Sequence, residues 1–159
     1  MTTADVLRPY LQQQIASIMG VASIPPDEDG DIVIRQGSTL CFARVLDGPT
    51  GPLFRVFAPV LKNVTESDAL FERLNALNVG APYVRFFWSD GFVYCGMDLL
   101  AEYLQREEIG NALAAVGWNA DNLDELLKQE FGGERMIEDE QVTKPPMEIP
   151  PPEPSADLT

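Results

Sequence analysis

Apolar residues recur along this chain in two periods, and the switches between them mark out eight elements. Between residues 4 and 19, Val6, Leu7, Tyr10, Leu11, Ile15, Ile18 and Met19 fall at helical spacing, and Gly20 supplies a stop. Pro25-Pro26-Asp27-Glu28-Asp29-Gly30 reads as a loop. Three strand-like runs follow at 31–36, 39–47 and 53–64, with a hairpin signal in Gly48 to Pro52 between the last two. Thr65-Glu66-Ser67-Asp68 resembles a helix N-cap. Leu70, Phe71, Leu74 and Leu77 line the helix it opens, which runs to Val79 and ends at Gly80 and Pro82. Residues 83–89 and 92–98 are two strands joined by Asp90-Gly91, the strongest two-residue hairpin signal. In the last segment Ile109, Leu113, Val116, Ala120, Leu123 and Leu127 keep an unbroken helical phase. That predicts one helix over 106–131, locally weakened by Gly110 and Gly117 and closed by Gly132-Gly133, with a split near Trp118-Asn119 as the alternative.

The order α-β-β-β-α-β-β-α predicts an α+β fold, an antiparallel five-stranded sheet with helices packed on one face. Side chains alternate across a strand, so parity sorts the two faces. One set, Ile32, Ile34, Cys41, Ala43, Val45, Phe54, Val56, Ala58, Val60, Val84, Phe86, Trp88, Val93, Cys95 and Met97, is wholly apolar and should meet the helices. The other set is Val33, Arg35, Leu40, Phe42, Arg44, Leu53, Arg55, Phe57, Tyr83, Arg85, Phe87, Phe92 and Tyr94. It holds all four strand arginines, interleaved with aromatics. The plain expectation is a solvated face whose arginines pair with nearby acids and whose stems cover apolar neighbours. The sharper one is a contact surface, because Phe42, Phe57, Tyr83, Phe87 and Tyr94 make a platform too apolar to leave wet, and Arg and aromatics favour interfaces.

Composition divides the chain near residue 133. Residues 134–159 hold 6 of the 13 prolines, seven acids and two bases, with few apolar residues and no period. A segment of that kind buries too little surface to offset its ordering entropy, so an acidic, Pro-rich, disordered tail is expected after a folded domain at 1–133. The whole chain carries a formal charge of -14 and no histidine. That charge argues against a nucleic-acid partner, which needs clustered Lys and Arg, and against docking on anionic membrane. No basic and apolar leader and no spanning run is visible, and Cys41 and Cys95 lie far apart inside strand-like runs. These features lead us to expect reduced core thiols in a cytoplasmic protein.

Candidate chemistry is thin. Phosphate-cradling Gly-rich loops and the nucleophile elbow are absent, and no histidine is available as a general base. Asp27, Glu28, Asp29 and Asp31 surround Gly30 without EF-hand spacing, which favours a solvated acidic loop over a weak cation contact. Glu107 and Glu108 sit where they offset a helix dipole. Asp121, Asp124 and Glu125 look like the solvated face of the last helix, and Glu138-Asp139-Glu140 like solvated tail. No catalytic residue, metal site or cofactor is expected, and the chain is read as a non-enzyme.

Three passages carry a family resemblance: Phe71-Glu72-Arg73-Leu74-Asn75-Ala76-Leu77-Asn78, the hairpin from Val84 to Met97, and Ala120 to Leu127 running into Phe131-Gly132-Gly133. In this order they resemble the YbjN family and the wider type III secretion chaperone-like fold, and most of all its actinobacterial peptide-binding branch. The resemblance covers residues 1–133. It implies a small domain that binds an extended segment of a client protein, often as a homodimer, without cofactor or reaction, and it carries over no site residues.

Two expectations follow. In the first, a peptide or protein client adds a strand at a sheet edge or lies across the platform of Phe42, Arg44, Arg55, Phe57, Tyr83, Arg85, Phe87 and Tyr94. In the second, the face is a permanent homodimer contact and the Pro-rich tail recruits a partner.

Overall fold

The eight periodic segments fold as eight elements. The computed structural model describes residues 3–137. They run α1 (Ala4–Ile18), β1 (Ile32–Gln36), β2 (Thr39–Gly48), β3 (Gly51–Leu61), α2 (Asp68–Gly80), β4 (Arg85–Ser89), β5 (Phe92–Leu100) and α3 (Arg106–Phe131). The five strands form one antiparallel sheet in the order β1-β2-β3-β5-β4. The longest strand, β3, sits centrally, paired with β5 from Leu53 opposite Leu100 to Leu61 opposite Val93. Its register shifts between Pro59 and Leu61. A bulge there accommodates a proline that has no N–H to give the ladder.

Parity decides what is buried. Every member of the first set lies in the core except Trp88, which is half-buried against it. Trp88 donates its indole N–H to the Val64 carbonyl at 2.8 Å. α3 lays Ile109, Leu113, Val116, Ala120 and Leu127 against the sheet as one unbroken helix. Glu108 caps its start by accepting the Gln105 N–H at 2.8 Å. α1 adds Leu11 and Ile15, and α2 adds Leu70 and Leu74 after Ser67 accepts the Leu70 N–H at 3.1 Å. Apart from Tyr83, the second parity set is left on the far side of the sheet, where no helix among the described residues covers it.

Some expectations shift at element ends. The third strand stops at Leu61 because Asn63 takes φ 58° and turns the chain. β4 begins at Arg85, since Tyr83 takes φ 65° and Val84 donates back to the Pro82 carbonyl. The expectation of a solvated acidic face on α3 is corrected at Asp124, which is 2% exposed, and at half-buried Asp121. Both reach across to the β1–β2 turn. Asp121 Oδ1 accepts the Ser38 N–H at 2.7 Å and its hydroxyl at 2.9 Å, and Asp124 Oδ2 also meets that hydroxyl. A Cβ on Gly37, whose φ is 55°, would overlap the Asp121 carboxylate, so the clasp needs glycine there.

Beyond Gly133, Glu134 exchanges two backbone hydrogen bonds with Lys62, each 2.9 Å. Glu134 therefore lies against the end of β3, and Arg135 reaches Glu125 of α3. The remainder of the expected tail, 138–159, falls outside the described residues. Among the described residues no helix is long and apolar enough to cross a membrane.

Candidate functional site

Strand register converts the outward parity set into rows. One row crosses all five strands as Val33, Phe42, Phe57, Gly96 and Arg85, each opposite the next. The row on one side brings Pro59, Tyr94 and Phe87 together. The row on the other side brings Arg44, Arg55 and Asp98 together. The rings interlock across these rows. Phe42 stacks on Phe57 at 5.2 Å, Phe57 meets Tyr94 edge-on at 6.5 Å, and Tyr94 stacks on Phe87 at 5.2 Å. Two guanidinium groups lie over ring faces, Arg44 at 5.4 Å from the Phe57 centroid and Arg85 at 5.8 Å from that of Phe87.

Gly96 gives this surface its relief. It stands between Phe57 and Arg85 in the register and contributes no side chain. A Cβ there would lie 3.1 Å from the Val56 carbonyl oxygen and 3.3 Å from Phe57 Cβ, so the position also serves close packing. The result is a shallow depression of about 360 Å³ floored by Gly96 and walled by Phe57, Tyr94, Phe87, Arg55 and Arg85.

The arginines are held in place. Arg55 makes two hydrogen bonds to Asp98, at 2.7 and 2.9 Å, and Arg85 reaches the same carboxylate at 3.4 Å. The Arg55 hydrogen bond, helped by Arg85, holds the Asp98 carboxyl below the usual carboxylate range. Arg44 grips Asp31 through two bonds of 2.7 Å, and this hydrogen bonding raises the guanidinium above its ordinary value. Arg35 donates to the Gly37 carbonyl at 2.8 Å. Around Gly96, Arg55 and Arg85 share one aspartate and leave a local excess of positive charge, whereas at Arg44 the carboxylates of Asp27 and Asp29 add to that of Asp31.

Seven of the eight residues expected here are brought together: Phe42, Arg44, Arg55, Phe57, Arg85, Phe87 and Tyr94. Tyr83 is not among them. It lies in the turn before β4, is 87% exposed and makes no ring contact among the described residues. Sequence reasoning missed Asp98, which pairs with Arg55 and Arg85, Asp31, which pairs with Arg44, and Gly96. Parity carried on through β5 as 92, 94, 96 and 98 would have found Gly96 and Asp98. Asp31 lies one step beyond the pair Ile32–Ala43 and so falls opposite Arg44.

The two sheet edges differ. At β4, the Asn78 carboxamide of α2 accepts the Phe86 N–H at 2.6 Å and donates to the Phe86 carbonyl at 2.9 Å, taking the place of a neighbouring strand. At β1, among the described residues, no backbone hydrogen bond arrives from any element except β2.

The other candidates resolve into structure. Asp27, Asp29 and Asp31 cluster, but both Asp31 oxygens hold Arg44, and Asp27 Oδ1 accepts the N–H groups of Asp29 and Asp31 at 2.9 and 2.8 Å. The loop is a brace for Arg44. Burial pushes the Cys41 thiol up to about 12 and Cys95 further, so neither is a nucleophile.

An open antiparallel sheet, helix-covered on one side and aromatic on the other, defines a class of small α+β protein whose bare face and strand edge suit peptide contact. The model of a family described as T3SS (YopN, CesT) and YbjN peptide-binding chaperone 1 matches residues 5–139. The chain belongs to this family. A search of the curated proteins finds no match. Among solved structures, a chain from the crystal structure of the ExsC-ExsE complex is similar in fold, with a TM-score of 0.60 at 20% identity. That similarity covers 80% of this chain and 97% of the other.

Proposed function

We propose that the chain is a non-enzymatic chaperone-like module that binds an extended segment of a client protein on the outer sheet face, with Phe57, Phe87 and Tyr94 as anchors. The observation that carries this is the ring cluster around Gly96, which no described element covers. An apolar client side chain fits the depression, and client carboxylates next to it meet Arg55 and Arg85. The open β1 edge offers a second mode, strand addition, whereas Asn78 obstructs it at β4. The fold shared with a chain of the ExsC-ExsE complex supports a protein client. A cytoplasmic setting belongs to the same proposal, and two buried free thiols suit a reducing compartment.

The test is a displayed library of extended peptides, followed by NMR titration of the peptides it enriches. We expect shifts concentrated at Phe57, Phe87, Tyr94 and Gly96, and at least a tenfold loss of affinity in Phe87→Ser with an unchanged fold. Shifts confined to the helical side, or no enrichment at all, would overturn the proposal. Sedimentation of the same variant reports whether this face also joins two copies, as the expected homodimer would require.

A further inference from the structure

We propose that the client segment carries an apolar, an acidic and an apolar residue at alternate positions, and that Leu53 and Leu100 form a second apolar subsite for it on the outer sheet face. This rests on the reading of that face as a peptide-binding surface, and its test separates the two. The first ground is register. Beyond the row of Arg44, Arg55 and Asp98, the next outward row brings Leu46, Leu53 and Leu100 together. Leu46 and Leu53 are half-buried, and Leu100 is 65% exposed. Leu53 lies across Gly48, where a Cβ would stand 2.8 Å from two of its side-chain carbons. The outer face thus carries two apolar shelves, one of rings around Gly96 and one of leucines ending at Leu100. A charged row separates them.

The second ground is charge. Arg55 and Arg85 share the single carboxylate of Asp98, which leaves one positive charge uncompensated in the middle row. The surroundings of that row are acidic. At Arg44, Asp27 and Asp29 add to Asp31. At the leucine end, Leu100 borders a depression of about 280 Å³ whose walls include Glu102 and Glu108. A client carboxylate is therefore drawn to Arg55 and Arg85 and opposed on either side of them.

The third ground is spacing. Along β5 the floor of the ring shelf, the partner of the arginines and the leucine shelf fall at Gly96, Asp98 and Leu100, two residues apart at each step. That step is about 6.8 Å in an antiparallel strand, and an extended client has the same step between side chains that face one way. Strands stacked face to face keep within about 30° of each other. A client lying along β3 and β5 then sets its residues i, i+2 and i+4 over rings, guanidinium groups and leucines in turn.

The experiment titrates the full chain, observed by NMR, with end-capped peptides of defined sequence. Thr-Phe-Thr-Glu-Thr-Leu-Thr should shift the amide signals of Gly96, Asp98 and Leu100 together. Thr-Phe-Thr-Glu-Thr, which lacks the second apolar residue, should bind about tenfold more weakly. Leu100→Ser should weaken the longer peptide about tenfold and leave the shorter one unchanged, and Leu53→Ser should repeat this. Moving the glutamate one place, as in Thr-Phe-Glu-Thr-Thr-Leu-Thr, should weaken binding about threefold, and a lysine in its place should do so at least as much. Binding that ignores peptide length, glutamate position or Leu100→Ser would overturn the proposal, as would tighter binding of the lysine peptide. In each of these cases shifts at Phe57, Phe87 and Gly96 leave the client site standing. If no peptide shifts the outer face, the client site fails as well, and a dimer that Leu100→Ser dissociates in sedimentation would give the face to a second copy.

Discussion

Asp98 is the residue whose removal should report most directly on how the outer face is held. Its carboxylate accepts two hydrogen bonds from Arg55 and a longer contact from Arg85. The Asp98 side chain is 20% exposed, that of Arg55 33% and that of Arg85 50%. A buried charge-assisted hydrogen bond nets about 1.5–3 kcal/mol, and a fully exposed ion pair about 0.2–1 kcal/mol. The half-sheltered, two-point Arg55 pair falls between these ranges, at about 1.5 kcal/mol. Arg85 adds roughly 0.3 kcal/mol. Asp98→Ala should therefore lose about 2 kcal/mol, or about 6–10 °C in Tm for a domain of this size.

The sign of the pH dependence follows from the direction of the shift. Asp98 is held below its ordinary value of 3.8, so it adds stability that is complete above the unfolded pKa and disappears as pH falls through the folded one. Thermal melts by far-UV circular dichroism should show the full gap between wild type and Asp98→Ala at about pH 7, and a gap that shrinks steadily as pH falls below 3.8. A cycle with Arg55→Ala should give a coupling of about 1 kcal/mol. A coupling below about 0.3 kcal/mol, or a gap that persists in acid, would refute the assignment of the pair as the brace of this face.

Two further outcomes test the frame around the site. Asp124 has its carboxyl raised above 3.8, first by burial and also by nearby Asp121, against the opposing effects of Ser38, the Glu125 N–H and Arg135. A raised acid stabilises the fold below its unfolded pKa and loses that stability as pH rises through the folded value, so Asp124→Asn should match or exceed wild-type Tm at neutral pH and flatten the decline above pH 3.8, as melts across that range will show. Asn78→Ala uncovers the Phe86 N–H and carbonyl at the β4 edge; denaturant unfolding should show a loss of about 2 kcal/mol, and sedimentation an increase in self-association.

Most of the fold was legible because the hydrophobic period is strong and uninterrupted. The phase from Ile109 to Leu127 is one example, and the helix it predicts ignores Gly110 and Gly117 because tertiary packing outweighs their propensity. Strand parity likewise sorted the core from the open face. What parity could not supply was backbone geometry at strand ends. Tyr83 has the right parity on paper, but a positive φ takes it out of the strand. Asp124 was misplaced for a different reason. Its position on α3 looks solvent-facing by composition, and only the docking of Ser38 and Gly37 against that helix buries it. The site was legible as residue types and illegible as charge. Pairing depends on which acid sits across the register, and Asp98 lies beyond the stretch in which the arginines and aromatics draw attention.

The pairing of Arg44, Arg55 and Arg85 with aspartates alters what the proposed face can select. A bare cluster of four cations would attract any acidic chain, and the -14 of this protein would oppose that attraction at long range. With Arg55 and Arg44 each fixed on an aspartate, the guanidinium planes are set before a client arrives, and less side-chain entropy remains to be lost on binding. Beyond the screening length of about 8 Å the client meets an acidic protein, and inside it, beside Arg55 and Arg85, an aromatic surface with one uncompensated positive charge. Acidity alone is then a poor ticket to the site. A client must first bring apolar side chains that fill the space above Gly96, and its carboxylates add to binding only once those side chains have placed them beside Arg55 and Arg85.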